Sequence, residues 1–163
     1  MNLIAFETST EACSVALWRD GEVLERFEVA PRRHAELALP WAQALLAEAG
    51  MARSQLDAVA VGRGPGAFTG VRLGIALAQG IALALDLPML PVSTLAALAM
   101  RAPAPGKVLA AIDARMGEVY VAAFERTAAG VEPQGPESVL APDAVSLLRY
   151  KRSSFASIAL HQR

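Results

Sequence analysis

The sequence predicts an α/β fold in which a mixed five-stranded sheet flanked by helices is followed by a second, incomplete lobe. Three stretches carry that expectation. Three short apolar segments crowd residues 3–27, too close together for the long crossovers that parallel strands need, so they read as an antiparallel meander. Ala58-Val59-Ala60-Val61 runs through a glycine-rich bend straight into a long apolar helical pattern, which is the order strand, tight loop, helix. A further pair of strands around 114–117 starts to repeat the opening.

In chain order, Leu3-Ile4-Ala5-Phe6 is the first strand and Ser14-Val15-Ala16-Leu17-Trp18 alternates as the second. Arg19-Asp20-Gly21 then turns into the third, Glu22 to Phe27. Polar Glu7-Thr8-Ser9-Thr10 lies between the first two. Residues 35–49 follow a helical pattern closed by Gly50, and Pro40 predicts a kink or a break after the first turn. Leu37, Trp41, Ala44, Leu45 and Glu48 share one face of this helix, while Leu39, Ala42, Leu46 and Ala49 share another. A surface helix needs a single apolar stripe, so the second invites a partner.

The helix over 69–85, with Thr69 as its N-cap, is apolar nearly all round. Gly70, Gly74, Ala78 and Ala82 recur every four residues along it, and such a ridge permits close approach of another helix. It is then the central helix of its domain, a contact with another subunit, or both at once. On the second reading, Ala78→Arg removes docking without unfolding. Arg72 contacts the 62–66 loop or an acid, or is an ordinary solvated arginine.

Leu87 to Val92 is a proline-edged strand, and Ser93 caps a helix through Met100. Ala102-Pro103-Ala104-Pro105-Gly106 breaks all periodicity, which divides the chain into a first lobe at 1–101, a linker at 102–106 and a partial second lobe at 107–148. Lys107 to Asp113 and Glu118 to Phe124 form the second hairpin, with Asp113 ending its strand as Glu7 ends the first. Arg115 and Glu118 are site residues or a turn pair. Residues 149–163 change character, and an unfinished sheet would leave an open edge, so poor order is expected from about Glu132 onward.

Composition narrows the classes. A net charge of −1 gives no electrostatic footprint for nucleic acid. The single cysteine, Cys13, excludes an internal disulfide, suits a reducing cytoplasm and reads best as a small buried hydrophobe. No basic leader precedes the first apolar run, and the longest apolar segment, 71–85, is short for a bilayer and carries Arg72 and Gln79, so no membrane role is expected. His34 and His161 are the only histidines and never fall at His-x-x-x-His spacing, so no metal site is expected and His34 reads as a helix-entry or interface residue.

Glycine alone takes φ > 0 without steric cost, so Gly62-Arg63-Gly64-Pro65-Gly66 marks a sharp bend or a close approach to its backbone. No Lys-Ser or Lys-Thr follows, which excludes a Walker A loop. The match to G-x-G-x-x-A is formal only, since Pro65 removes a donor and Asp86, the nearest later acid, precedes the next strand instead of ending it.

Gly62 through Arg72, together with Phe6-Glu7-Thr8-Ser9 and Ile112-Asp113-Ala114-Arg115-Met116-Gly117-Glu118-Val119-Tyr120, resembles the TsaB (YeaZ) family over roughly residues 1–148. The resemblance implies an actin-like, ribonuclease-H-like lobe. It implies a non-catalytic scaffold subunit of the tRNA threonylcarbamoyladenosine complex, cytoplasmic, reaching tRNA only through that complex. Its partners would be a metal-containing TsaD-type paralogue and a TsaE-type ATPase, with a homodimer in isolation. Docking would use Leu37, Trp41, Leu45, Gly70, Gly74, Ala78 and Ala82. In actin-like relatives the loop after the first strand meets a nucleotide phosphate, which makes Glu7, Thr8, Ser9 and Asp113 candidates for ATP or ADP at the interface; the alternative is that the first three cap their own turn. An actin-like ATPase or small-molecule kinase using Glu7, Thr8 and Asp113 around magnesium and ATP is the competing function. It needs two complete lobes and an acid to orient the attacking group. Metallopeptidase activity fails on the missing histidine pair.

Overall fold

The alternation of Ile4, Phe6, Cys13, Val15 and Leu17 along neighbouring segments sends every second side chain to one side, and that side becomes the core of the first half of the chain. The computed structural model describes residues 1–103 and 105–145 and the backbone of Phe155–Leu160. It divides into two compact units, Met1–Val92 and Ser93–Arg163.

In the first unit, β1 (Asn2–Glu7), β2 (Ala12–Arg19) and β3 (Glu22–Val29) pair antiparallel in the expected meander. α1 (His34–Glu48) leads to β4 (Ala58–Gly62), and α2 (Phe68–Leu85) leads to β5 (Met89–Val92). β4 runs parallel to both β1 and β5, giving the order β3-β2-β1-β4-β5, the mixed five-stranded sheet expected. Every residue of β4 is buried, as parallel strands require. Ala38, Ala42, Leu45 and Leu46 of α1 and Ala78 and Ala82 of α2 pack with the inward residues of β1, β2 and β4.

Two local expectations are corrected and a third holds. α1 continues through Pro40 without breaking, although the missing N–H leaves the Glu36 carbonyl without its i→i−4 donor. Thr69 does not cap α2: the helix opens at Phe68, with extended Ala67 at the cap position and no side-chain bond. Gly50 does end α1, left-handed at φ +63°.

In the second unit, α3 (Thr94–Ala99) starts at Ser93, whose hydroxyl accepts the Ala96 N–H at 3.2 Å as a cap should. Leu95, Leu98 and Ala99 pack with Val108, Ala110, Ile112 and Phe124 of the hairpin formed by β6 (Gly106–Arg115) and β7 (Glu118–Arg126). The compact units therefore divide at Val92/Ser93, and the 102–106 stretch read as a linker lies inside the second one. β8 (Val131–Pro133) and β9 (Ser138–Leu140) both pair with β7, and the backbone of β10 (Phe155–Leu160) runs parallel to β6. Regular structure thus continues past Glu132, where poor order was expected, because β7 and β6 each find a further neighbour. The rest of the 149–163 tail lies outside the described residues.

Candidate functional site

The glycine-rich stretch and the β1–β2 turn form one object. After β4 the chain bends through Gly64 at φ +88° and enters α2. The turn holding Thr8 and Ser9 lies directly on that bend. Cβ atoms placed on Gly66 and Gly70 would overlap the carbonyl oxygens of Ser9 and Thr8, and one on Gly74 would fall 2.6 Å from Thr8 Oγ1. Hydrogen bonds close the contact: the Ala67 N–H donates to the Ser9 carbonyl at 2.7 Å, and the Thr8 hydroxyl donates to the Gly70 carbonyl at 2.7 Å. The Glu7 carboxylate lies against Gly62 Cα and accepts the Ser9 N–H at 2.7 Å.

The close approach foretold by the glycines is thus made by the chain's own turn. Thr8 and Ser9 are buried, and Ser9 Oγ has no hydrogen-bond partner among the described residues. Glu7, Thr8 and Ser9 are brought together, but the carboxylate and the Thr8 hydroxyl are spent on holding the glycine bend, and the turn supplies no cation. As a phosphate cradle this donor set does not fit.

In the second unit, Asp113 is likewise tied to its own turn. Its Oδ1 accepts the Arg115 N–H at 2.7 Å, and its Oδ2 lies 3.9 Å from Arg115 Nη1. Arg115 thus lies beside Asp113, and its register partner across the hairpin is Glu118. Arg115, Met116 and Gly117 are all left-handed, at φ of 69°, 55° and 79°, and Met116 is 98% exposed at the tip. Among the described residues no cluster of three or more His, Cys, Asp or Glu is placed to hold a metal ion. His34 opens α1 with Nε2 3.3 Å from the Ala12 carbonyl oxygen.

Cys13 is fully buried, and burial, with the Glu28 charge adding, pushes its thiol up to about 11. The reactive thiolate is therefore suppressed at neutral and mildly alkaline pH. Iodoacetamide at pH 8 is expected to label Cys13 no faster than the protein unfolds; rapid labelling of native protein would contradict its placement.

The two helices give a different answer from the one their periodicity suggested. Gly70, Gly74, Ala78 and Ala82 face inward, the first two against Thr8 and the others in the sheet core, and Leu45 is fully buried with them. Leu37 and Trp41 are half-buried against the same core. The docking role assigned to the buried ridge is therefore replaced by an internal one. The outward apolar residues are Leu39 at 41%, Phe68 at 71% and Leu83 at 86% exposure. Arg72 does not reach into the glycine bend; its guanidinium stacks 3.5 Å from the Phe68 ring centroid and donates to the Phe68 carbonyl at 3.2 Å. A mostly apolar cleft of about 220 Å3 runs between α1 and α2, walled by Leu39, Ala42, Leu46, Ile81 and Leu85. By length and composition alone α2 would also suit a membrane span, but its small ridge is built onto β4.

Sequence reasoning missed Phe68, Leu83 and Gly80 as outward positions. The signal was present: once Gly70 and Gly74 touch Thr8, the 3.6-residue period turns residues 76, 80, 83 and 84 outward.

A family model described as "TsaD: tRNA N6-adenosine threonylcarbamoyltransferase" matches residues 27–161. The tRNA threonylcarbamoyladenosine biosynthesis protein TsaB of Escherichia coli (strain K12) is 50% identical over 149 residues, covering 89% of this chain and 64% of that protein. The protein of the same name from Bacillus subtilis (strain 168) is 32% identical over 154 residues, covering 93% of this chain and 67% of that one. Among solved structures, YeaZ from Pseudomonas aeruginosa superposes with a TM-score of 0.85 at 51% identity, covering 89% of this chain and 70% of that one. The chain spans somewhat under two-thirds of the length of the E. coli protein.

Proposed function

Because the chain belongs to the TsaB (YeaZ) family, we propose that it is a scaffold subunit in tRNA threonylcarbamoyladenosine synthesis, docking a TsaD-type paralogue through the outer side of α1 and α2. The observation that carries the reading is the open apolar cleft between the two helices, walled by Leu39, Ala42, Leu46, Ile81 and Leu85, with Leu83 and Phe68 further apolar side chains left exposed elsewhere on α2. In this reading the chain works in the cytoplasm, catalysis belongs to the assembled complex, a TsaE-type ATPase joins it, and ATP or ADP binds only where the partner supplies the groups the β1–β2 turn lacks. Without the paralogue, the same surface supports a homodimer.

The test is direct. Mixed with the TsaD-type paralogue from the same genome, the purified chain is expected to form a stable heterodimer by size exclusion and to support tRNA modification by the reconstituted complex. Failure to bind the paralogue, or substantial ATP turnover by the chain alone, would overturn the proposal in favour of an actin-like ATPase or kinase.

A further inference from the structure

We propose that the pocket between the β2–β3 hairpin and the C-terminal end of α1 binds an alkylammonium group, with its methylenes on Leu17 and Leu24 and its charge between Glu22 and Glu48. The pocket shares no lining residue with the α1–α2 cleft, and the proposal is independent of the docking reading.

Two register pairs build the hairpin wall, Leu17 with Leu24 and Arg19 with Glu22, and the two-residue period puts all four on the α1 side of the sheet. The last turn of α1, at Glu48 and Ala49, closes the other side. The space between them is about 300 Å3, the size at which pockets for small ligands begin. Its floor is apolar, since Leu17 is fully buried and Leu24 half-buried.

The charges select the ligand. Arg19 stands across the hairpin from Glu22, but its Nη1 donates to the Ala49 carbonyl at 2.8 Å, where it satisfies the end of α1. The Glu22 carboxylate is left with no ion pair or hydrogen bond among the described residues. Arg26 engages one of the two oxygens of Glu48. α1 carries no basic residue in its last turn, so the negative end of its dipole adds to the two carboxylates. Around one tethered guanidinium, that set attracts a cation and rejects a second carboxylate. An apolar floor beside the charge suits a cation on a hydrocarbon stem, the way a lysine side chain lies along a surface. Such a group is supplied by a free alkylamine or by the lysine of another protein.

The experiment titrates the full isotope-labelled chain at low salt with cadaverine and with Nα-acetyl-lysine amide, reading backbone amide shifts. Both probes are expected to move residues 17–24 and 48–50 with a Kd on the order of 1 mM, and added salt is expected to weaken both. Pentanol, which lacks the charge, is expected to give no saturable shift. Glu22→Gln is expected to keep the parental thermal midpoint, because its carboxylate is exposed and unpaired, and to weaken binding about 10-fold. Glu22→Lys is expected to abolish binding by placing an ammonium of its own in the pocket. Glu36→Gln, in the first turn of α1, serves as the control for general charge and is expected to leave binding unchanged. Whichever probe binds more tightly names the source of the group, a free diamine or a protein lysine, and either result supports the proposal. Absence of a saturable shift with both probes, parental affinity in Glu22→Gln, or equal weakening by Glu36→Gln would overturn it, and the docking reading stands in every case.

Discussion

Gly70→Ala is expected to destabilise the first unit by about 2–4 kcal/mol, while the same substitution at Gly80, in the same helix, stabilises it by up to about 1 kcal/mol. At position 70 the new methyl would overlap the Thr8 carbonyl oxygen, and α2 would have to lift off the β1–β2 turn. The Thr8 hydroxyl bond to the Gly70 carbonyl, 2.7 Å long and fully buried, would be lost with that movement. At position 80 the methyl meets nothing, so only the helix propensity gain remains. Urea unfolding of both variants checks this. Equal effects at the two sites would mean that α2 does not sit on the turn as described.

Ala78→Arg is expected to abolish folding of the first unit, at a cost above about 4 kcal/mol. Ala78 is fully buried among Ile4, Phe6, Val59 and Val61, with no acid in that cluster to receive a guanidinium. The sequence-based expectation that this change would remove docking and spare the fold is therefore corrected. Leu83→Arg, about one and a half turns along the helix and outward, is the proper probe of docking. It is expected to shift stability by no more than about 0.5 kcal/mol while abolishing the heterodimer. Circular dichroism of both variants, followed by size exclusion with the paralogue, separates the two outcomes; a folded Ala78→Arg variant would refute the inward ridge.

These two variants also show what could be read in the sequence. The meander, the strand–bend–helix order and the second hairpin were legible because alternation and spacing leave little choice of pairing. The glycines of 62–70 announced a close approach, yet composition could not name what approaches, and a phosphate or a carbonyl oxygen makes the same demand on a missing Cβ. The phase of α2 was hidden for a related reason. Residues 70, 74, 78 and 82 form a small ridge, and so do 76, 80 and 84, so an all-round apolar helix gives no preferred direction until a second element fixes it. Ala102-Pro103-Ala104-Pro105-Gly106 marks where periodicity stops, whereas packing divides the compact units earlier, since Leu95 and Leu98 join the second core. Asp113 looked like a counterpart of Glu7, and both prove to be carboxylates that accept a backbone N–H two residues ahead, at Arg115 and Ser9.

β3 closes one side of the first sheet, and its backbone beyond β2 has no neighbouring strand in that unit. Val23, Phe27 and Val29 stand exposed along it, interrupted by Glu22, Glu25 and Glu28. Those carboxylates act as gatekeepers: an incoming strand from another molecule would set its own β3 acids beside them, like charge against like. Glu25→Val would join Val23, Phe27 and Val29 into one continuous greasy ribbon on a single face of the strand, and thioflavin fluorescence of that variant is expected to report fibril growth.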